Sequence, residues 1–237
     1  MILKITQLHK AYGENTVLKG LNYEFEEGKI YGIVGRNGAG KTTLFNCINR
    51  DLPFEQGSVT LVDGGVESEL TFEETGMVSA SPILPEYLTG YEFISYFLSF
   101  NDQQAIPDES IVNNYFDLFK FQENDRHKLI KTYSYGMKNK LQLLCSLIRQ
   151  PKVILLDEPL SSFDIIVSHD IKEKLVEMKP NHIILMSTHI LQLATDVSDE
   201  ILLLKNGTLT GFVWKGYQRE VYEKRLMEAL SEEDEAG

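Results

Sequence analysis

Residues 35–42 read Gly-Arg-Asn-Gly-Ala-Gly-Lys-Thr, the residue types and spacing of a phosphate-binding P-loop. Gly35, Gly38 and Gly40 allow a tight turn whose backbone N–H groups face inward as an anion nest, with Arg36, Asn37 and Ala39 contributing backbone between them. Lys41 can reach the β- and γ-phosphates as a mobile charge, and the Thr42 hydroxyl suits a magnesium ion. The flanks fit as well. An apolar run, Ile30 to Val34, predicts a strand into the loop, and Thr43-Leu44-Phe45-Asn46 predicts a helix out of it. That helix N-terminus adds partial positive charge. The residues therefore predict binding of a nucleoside triphosphate.

A second chemical group lies at Val153-Ile154-Leu155-Leu156-Asp157-Glu158-Pro159, where four apolar residues run into two acids. A buried strand in an open α/β sheet delivers its C-terminal side chains to the place where ligands collect. Asp157 then stands to hold Mg²⁺, directly or through water. Glu158 stands to polarise an attacking water as general base. An apolar strand ending in Asp-Glu also occurs with a plain capping role. The pairing with the P-loop is what turns it towards catalysis.

The elements that must position these groups follow from periodicity. Short strand-like pieces (Ile2–Leu8, Leu21–Phe25, Ser58–Val62) and turn signals at Tyr12–Asn15, Glu26–Gly28 and Asp63–Gly65 occupy the N-terminal part. Residues from about Pro85 to Gln150 read as mostly helical, with Tyr91–Phe100, Ile111–Phe121 and Gly136–Arg149 as candidates. Strands at Val153–Leu156, Ile183–Met186 and Ile201–Leu204 alternate with helical patterns at Ile171–Met178 and Leu191–Val197. This alternation predicts a mostly parallel, covered sheet of α/β class, interrupted by a helical insertion.

The 237 residues carry a formal net charge of −12, with 43% apolar and 24% charged residues. Such a balance argues against nucleic acid as a partner, because neutralising phosphates takes clustered Lys and Arg. Cys47 and Cys145 lie far apart in apolar helical patterns and read as reduced core residues. No secretory leader is expected behind Met1, and no apolar run approaches the ~20 residues that span a bilayer. Any membrane would be served from the water side. The acidic stretch Glu232–Glu235 reads as a solvated tail.

With these motifs in order, residues 1–212 resemble the nucleotide-binding subunits of ATP-binding-cassette (ABC) transporters. The resemblance implies a P-loop NTPase core, an N-terminal antiparallel β-subdomain and a helical subdomain inserted at about residues 83–150. Residues 213–237 are left as a helical extension and tail, with a candidate helix at Tyr217–Leu230 and no family counterpart. It implies ATP and Mg²⁺ as cofactors and an aromatic platform for adenine at Tyr12. It also implies a signature loop at Tyr133–Met137, whose Ser134 and Gly136 contact ATP on an opposing subunit. Leu160–Asp164 looks like the loop that follows the catalytic Glu158, and His189, after Ser187-Thr188, occupies the position of a γ-phosphate switch. The implied partners are a separate transmembrane permease and a second ATP-binding subunit, identical or related. The implied place is the cytoplasmic side of the membrane, peripheral on its inner face.

Two departures matter. Ala80 stands where the family has a Gln beside Mg²⁺ and water, which predicts slower hydrolysis or metal coordination completed differently. Tyr135 replaces the first Gly of the signature pair, and Met137 replaces a Gln, a variation that resembles bacterial exporter subfamilies. The retained Lys41, Glu158 and His189 favour an active ATPase. Two other readings stay open: a soluble ABC-type ATPase without a transport role, and a weakly hydrolysing nucleotide-dependent regulator. The aromatic segment Tyr91, Phe93, Ile94, Tyr96, Phe97, Leu98 and Phe100 is expected to be half core and half a groove for a helix of the membrane subunit.

Overall fold

The computed structural model describes residues 1–101, 107–159, 165–212 and 219–231. The apolar runs form the strands that their composition predicts, and their alternation explains the architecture. In β7 (Val153–Asp157), Ile154 and Leu156 enter one core while Val153 and Leu155 enter another. In β8 (Ile183–Thr188), Ile184 and Met186 divide from Ile183 and Leu185 in the same way. Side chains on a strand point alternately to opposite faces, so an unbroken apolar run demands cover on both sides.

Around these two strands lie β3 (Lys29–Val34), β6 (Thr75–Val78), β9 (Glu200–Lys205) and β10 (Thr208–Phe212). The six-stranded sheet has the order β10-β9-β3-β8-β7-β6, parallel throughout except for the β9–β10 hairpin. A second sheet, β2-β1-β4-β5, is antiparallel and built from β1 (Ile2–Tyr12), β2 (Asn15–Glu26), β4 (Gln56–Asp63) and β5 (Val66–Glu69). The α/β fold class, with its N-terminal antiparallel sheet, is therefore as expected. Strand β1 runs four residues beyond the expected Leu8. Register shifts between Ile5 and His9, with Gln7 at φ 48, absorb the irregularity and let pairing resume as far as Tyr12.

On the face shared by Val59, Leu61, Tyr31 and Ile33 packs α1 (Lys41–Ile48), through Leu44, Phe45, Cys47 and Ile48. On the other face lie α2 (Gly90–Asn101), α3 (Glu109–Leu118), α4 (Glu123–Arg126) and α5 (Tyr135–Arg149), all between β6 and β7 in sequence. Their buried residues, including Ile94, Leu98, Val112, Phe116, Leu141 and Leu144, join Ile154, Leu156, Ile184 and Met186 in one core. Helix α2 begins with a reciprocal cap. Thr89 Oγ1 accepts from Glu92 N (3.1 Å), and Glu92 Oε2 accepts from Thr89 N (2.8 Å).

The remaining helices are α6 (Ile165–Met178), α7 (Leu191–Val197) and α8 (Arg219–Ser231). Helix α8 overlaps the candidate Tyr217–Leu230 region, ending one residue later, and has a docking site: Tyr222 and Leu226 are buried against Val34, Ala194 and Ile201. Tyr222 also donates to Phe212 O (2.8 Å), and Lys205 Nζ donates to Ala229 O near the helix end (3.1 Å). The acidic stretch 232–235 lies outside the described residues. Both cysteines are free, as expected. Burial pushes the Cys47 thiol up to about 11 and the Cys145 thiol up to about 12.

Candidate functional site

The parallel register sets the site. Val34, the last residue of β3, pairs with Thr188, and Asp157 pairs with Ser187, so three strands end level with one another. From β3 the chain enters the glycine loop, which α1 follows. Gly40 caps that helix at φ 102, and a Cβ there would lie 2.7 Å from Val17 Cγ1, so conformation and space both select glycine. Leu44 N donates to Gly40 O at 2.8 Å, the first helical turn. A cavity of about 510 Å³ opens beside Arg36, Asn37, Gly38 and Ala39, walled by Asn15, Thr16, Val17 and the β9–β10 turn.

Five sequence-predicted residues converge beside the glycine loop at the level strand ends, outside the lining of that cavity. Lys41 is buried, and its Nζ donates to Gly35 O (2.8 Å) and Arg36 O (3.3 Å), at 4.0 Å from Glu158 Oε1. Thr42 Oγ1 donates to Asp157 Oδ2 at 2.7 Å. Glu158 Oε2 lies 2.9 Å from His189 Nδ1, with the His189 side chain 52% exposed just past the end of β8. Glu158 has a positive φ of 51, unusual for a residue with a side chain. That turn swings its carboxylate off the strand direction to meet Lys41 and His189. The arrangement holds a carboxylate where it can take a proton and keeps a cation beside it.

The hydroxyl of Thr42 and the carboxylate of Asp157 present hard oxygen donors at one point. Mg²⁺ prefers such donors and keeps its other positions for water and phosphate oxygens, so the pair fits it.

Other expected residues sit apart. Tyr12 ends β1 opposite Asn15, its ring half exposed, with Lys10 Nζ 5.5 Å from the ring centroid. Ser134 starts α5, where its hydroxyl accepts from Met137 N (3.2 Å) and its carbonyl accepts from Lys138 N (3.0 Å). Among the described residues, no hydrogen bond or ion pair joins Ser134 or Gly136 to the glycine loop of the same chain. Thr43 follows the exposed Thr42 in the first turn of α1 and is half-buried. The loop expected at Leu160–Asp164 lies outside the described residues. Beside Ala80, Gln142 of α5 grips both backbone groups of Ser79, accepting from its N–H (3.2 Å) and donating to its carbonyl (3.4 Å).

Of the aromatic segment, Ile94 and Leu98 are core, and Tyr96 and Phe100 are exposed. Phe93 and Phe97 line a shallow apolar hollow of about 200 Å³ with Ile83 and Leu84. Tyr91 does not belong to that hollow. Its ring stacks on His127 at 5.0 Å instead, because its position on α2 faces the α4 end.

Sequence reasoning missed two supports. Ser187 is fully buried and bonded to both Asp157 and the backbone of Glu158. Its signal was a hydroxyl directly after the apolar run Ile183–Met186, followed by Thr188 at the strand end. Glu55 accepts from Lys10 Nζ (2.7 Å) and from Ala11 N (2.9 Å), and this bond with Lys10 holds its carboxyl below the usual range. A contact across 45 residues leaves no local pattern to read.

A parallel sheet ending level at a glycine loop, a lysine and an acid pair defines a P-loop nucleoside triphosphatase. Comparison narrows the class. The family profile described as ABC transporter matches residues 18–161. The uncharacterized ABC transporter ATP-binding protein YdbJ of Bacillus subtilis is 30% identical over 238 residues, covering 98% of this chain and 75% of its own. The lantibiotic transport ATP-binding protein SrtF of Streptococcus pyogenes is 28% identical over 219 residues, covering 91% and 88%. The phosphate import ATP-binding protein PstB 2 of Lactobacillus acidophilus is also 28% identical, covering 88% of each. The fold matches that of the dimeric cassette MJ0796 bound to ADP and Pi, with TM-score 0.78, 22% identity, and 91% and 100% of the two chains covered. The chain belongs to the ABC transporter family and is one of its ATP-binding, ATP-hydrolysing subunits. The match to YdbJ corrects one expectation: it extends well past Phe212, so the C-terminal segment does have a counterpart in a relative.

Proposed function

We propose that this chain powers a membrane exporter, by binding ATP·Mg²⁺ on its own glycine loop and closing against a second ATP-binding subunit. The observation that carries the reading is the linked set Thr42, Asp157, Glu158, His189 and Lys41 at the level ends of three strands. Gly35, Arg36, Asn37, Gly38, Ala39, Gly40, Thr42 and Thr43 offer backbone or hydroxyl groups to the phosphates, and Tyr12 offers a face to adenine. Lys41 exchanges its bonds to Gly35 and Arg36 carbonyls for phosphate oxygens, a swap that needs little movement. Bound magnesium, which Thr42 and Asp157 would hold, would supply positive charge to the phosphates.

Glu158 accepts the proton of a water as the water oxygen attacks the γ-phosphorus, and ADP leaves with its bridging oxygen. Fixed N–H groups and Lys41 stabilise the charge that shifts during transfer. His189 holds Glu158 from the far side and reports the γ-phosphate. Ser134 and Gly136 serve the site of the opposing subunit, which agrees with their separation from the glycine loop of their own chain.

No helix among the described residues is long and apolar enough to cross a membrane; in this reading the permease is a separate chain and this subunit sits on the inner face of the membrane. The hollow at Ile83, Leu84, Phe93 and Phe97 is the surface offered to it. Relatives named for lantibiotic transport and for phosphate import match equally well, so the exporter direction rests on Tyr135 and Met137 in the signature.

A weakly hydrolysing regulator is the second reading, favoured by Ala80 and by the way Gln142 ties down its loop. Steady-state hydrolysis of wild type against Glu158→Gln decides between them. We expect a loss of about 10²–10⁴-fold in the variant, with ATP uptake retained and an ATP-dependent dimer visible by size-exclusion chromatography. A wild type no faster than the variant, across protein concentrations, supports the regulator.

A further inference from the structure

Ser187 is a serine without exposure, next to last in a strand that is apolar from Ile183 to Met186 and closes with Thr188. Its Oγ donates to Asp157 Oδ1 at 2.5 Å and accepts from Glu158 N at 3.0 Å. The other oxygen of Asp157 faces Thr42 at 2.7 Å. One hydroxyl thus touches both acids of the site, the first through its carboxylate and the second through its backbone. Parallel pairing of Asp157 with Ser187 puts the two side chains next to each other on one sheet face.

We infer that Ser187 is a positioning residue that locks the metal-facing carboxylate of Asp157 and the left-handed turn of Glu158 into one setting. The inference deepens the proposed function and rests on its reading of Asp157 and Thr42 as the Mg²⁺ pair. A carboxylate held through one oxygen only can rotate about its terminal bond. Held through both, it presents Oδ2 in one direction, towards Thr42. Removal of the hydroxyl also releases the Glu158 N–H, whose bond helps keep φ at 51. Relaxing that angle would carry the Glu158 carboxylate away from Lys41 and His189. Ser187 reaches no phosphate itself and acts only through its two neighbours.

Hydrogen-bonding partners of metal ligands typically change metal affinity or activity by about 10- to 100-fold when removed. The test compares full-length wild type and Ser187→Ala by titration calorimetry with ATP, once in excess EDTA and once in excess Mg²⁺. Hydrolysis at saturating ATP is then measured on the same samples. In EDTA the two should bind ATP within about twofold of each other, which also shows that the variant is folded. With Mg²⁺, the affinity that the metal adds should shrink about tenfold in the variant, and kcat should fall by about 10- to 100-fold. A variant that gains as much from Mg²⁺ as the wild type overturns the proposal. So does a variant equally weakened in both buffers, because a general packing role would do that. A wild type that takes up no ATP in either buffer strikes the nucleotide reading itself, a result distinct from the other two.

Discussion

The glycine-loop side of the molecule and its helical insertion are built on opposite principles. Around the loop, Lys41, Asp157 and Ser187 are buried; Lys41 is bonded to the loop carbonyls of Gly35 and Arg36, and Asp157 to both Thr42 and Ser187. In the insertion, Ile83 is 93% exposed and Phe100 76% exposed, and Ser134 spends its hydroxyl on its own helix start. The first region is preorganised: its donors and acceptors already face one another before a ligand arrives, so little reorganisation accompanies binding. The second presents apolar and signature surface whose use depends on other chains. A subunit that converts nucleotide affinity into movement needs both kinds of surface.

The largest effect should come from breaking the preorganised side at its only buried cation among the loop residues described. Lys41→Ala removes charge-assisted bonds to two phosphates, worth about 4 kcal/mol together, on the order of 1,000-fold in ATP affinity. Calorimetry with Mg²⁺ present measures it. The insertion should be untouched, and association with native membranes should persist in nucleotide-free conditions. A Lys41→Ala protein that binds ATP with wild-type affinity would erase the contrast between the two regions.

Legibility in the sequence follows the same division. Gly35–Thr42, Val153–Glu158 and Thr188-His189 are local strings, and each alone fixes a strand end or a turn. Periodicity and residue type therefore placed five of the site groups together. What escaped was contact between strings. Ser187 acts through β7–β8 register, and Glu55 reaches Lys10 and Ala11 across the sheet. No spacing rule encodes register between strands 30 residues apart. The strand β6 was also missed, because Thr75-Gly76-Met77-Val78 is short, and Gly76 is set by the approach of Pro151 rather than by strand propensity. In α2 the aromatic count was legible but the facing was not. Tyr91 turned to His127, which only the position of α4 determines.

That facing selects the variants that test the insertion. The double substitution Ile83→Ser with Phe97→Ser alters the hollow without entering the core built on Ile94 and Leu98. Burying two such side chains on a partner contributes about 3 kcal/mol, so association with native membranes should weaken on the order of 100-fold. Flotation or sedimentation of membranes reads the bound fraction, and ATP affinity should stay at the wild-type value. Tyr91→Ser serves as the contrast: its ring lies against His127, so it should leave membrane binding unchanged. Equal loss from Tyr91→Ser and from the double variant would place the docking surface elsewhere on the insertion.

The smallest expected effect lies where the antiparallel sheet meets the glycine loop. Glu55 follows the exit of α1 and holds Lys10 and the Ala11 backbone, and Lys10 in turn sits over the Tyr12 ring. A carboxylate there fixes an exposed aromatic that must otherwise be ordered by adenine itself. Stacking of a base on an aromatic is worth ~1–3 kcal/mol, and loosening the ring forfeits part of it. Glu55→Gln should therefore weaken ATP binding about fivefold. Inorganic tripolyphosphate has no base, so its affinity should not change. Equal weakening of both ligands would mean that Glu55 acts on the glycine loop through α1 rather than on Tyr12. The pH response has a definite sign. The Lys10 bond lowers the Glu55 pKa, so its contribution is complete above the ordinary carboxylate range and is lost as pH falls through the lowered value. Between neutral pH and the onset of that range, the ratio of wild-type to Glu55→Gln affinity for ATP should stay flat, and it should converge on one only in stronger acid.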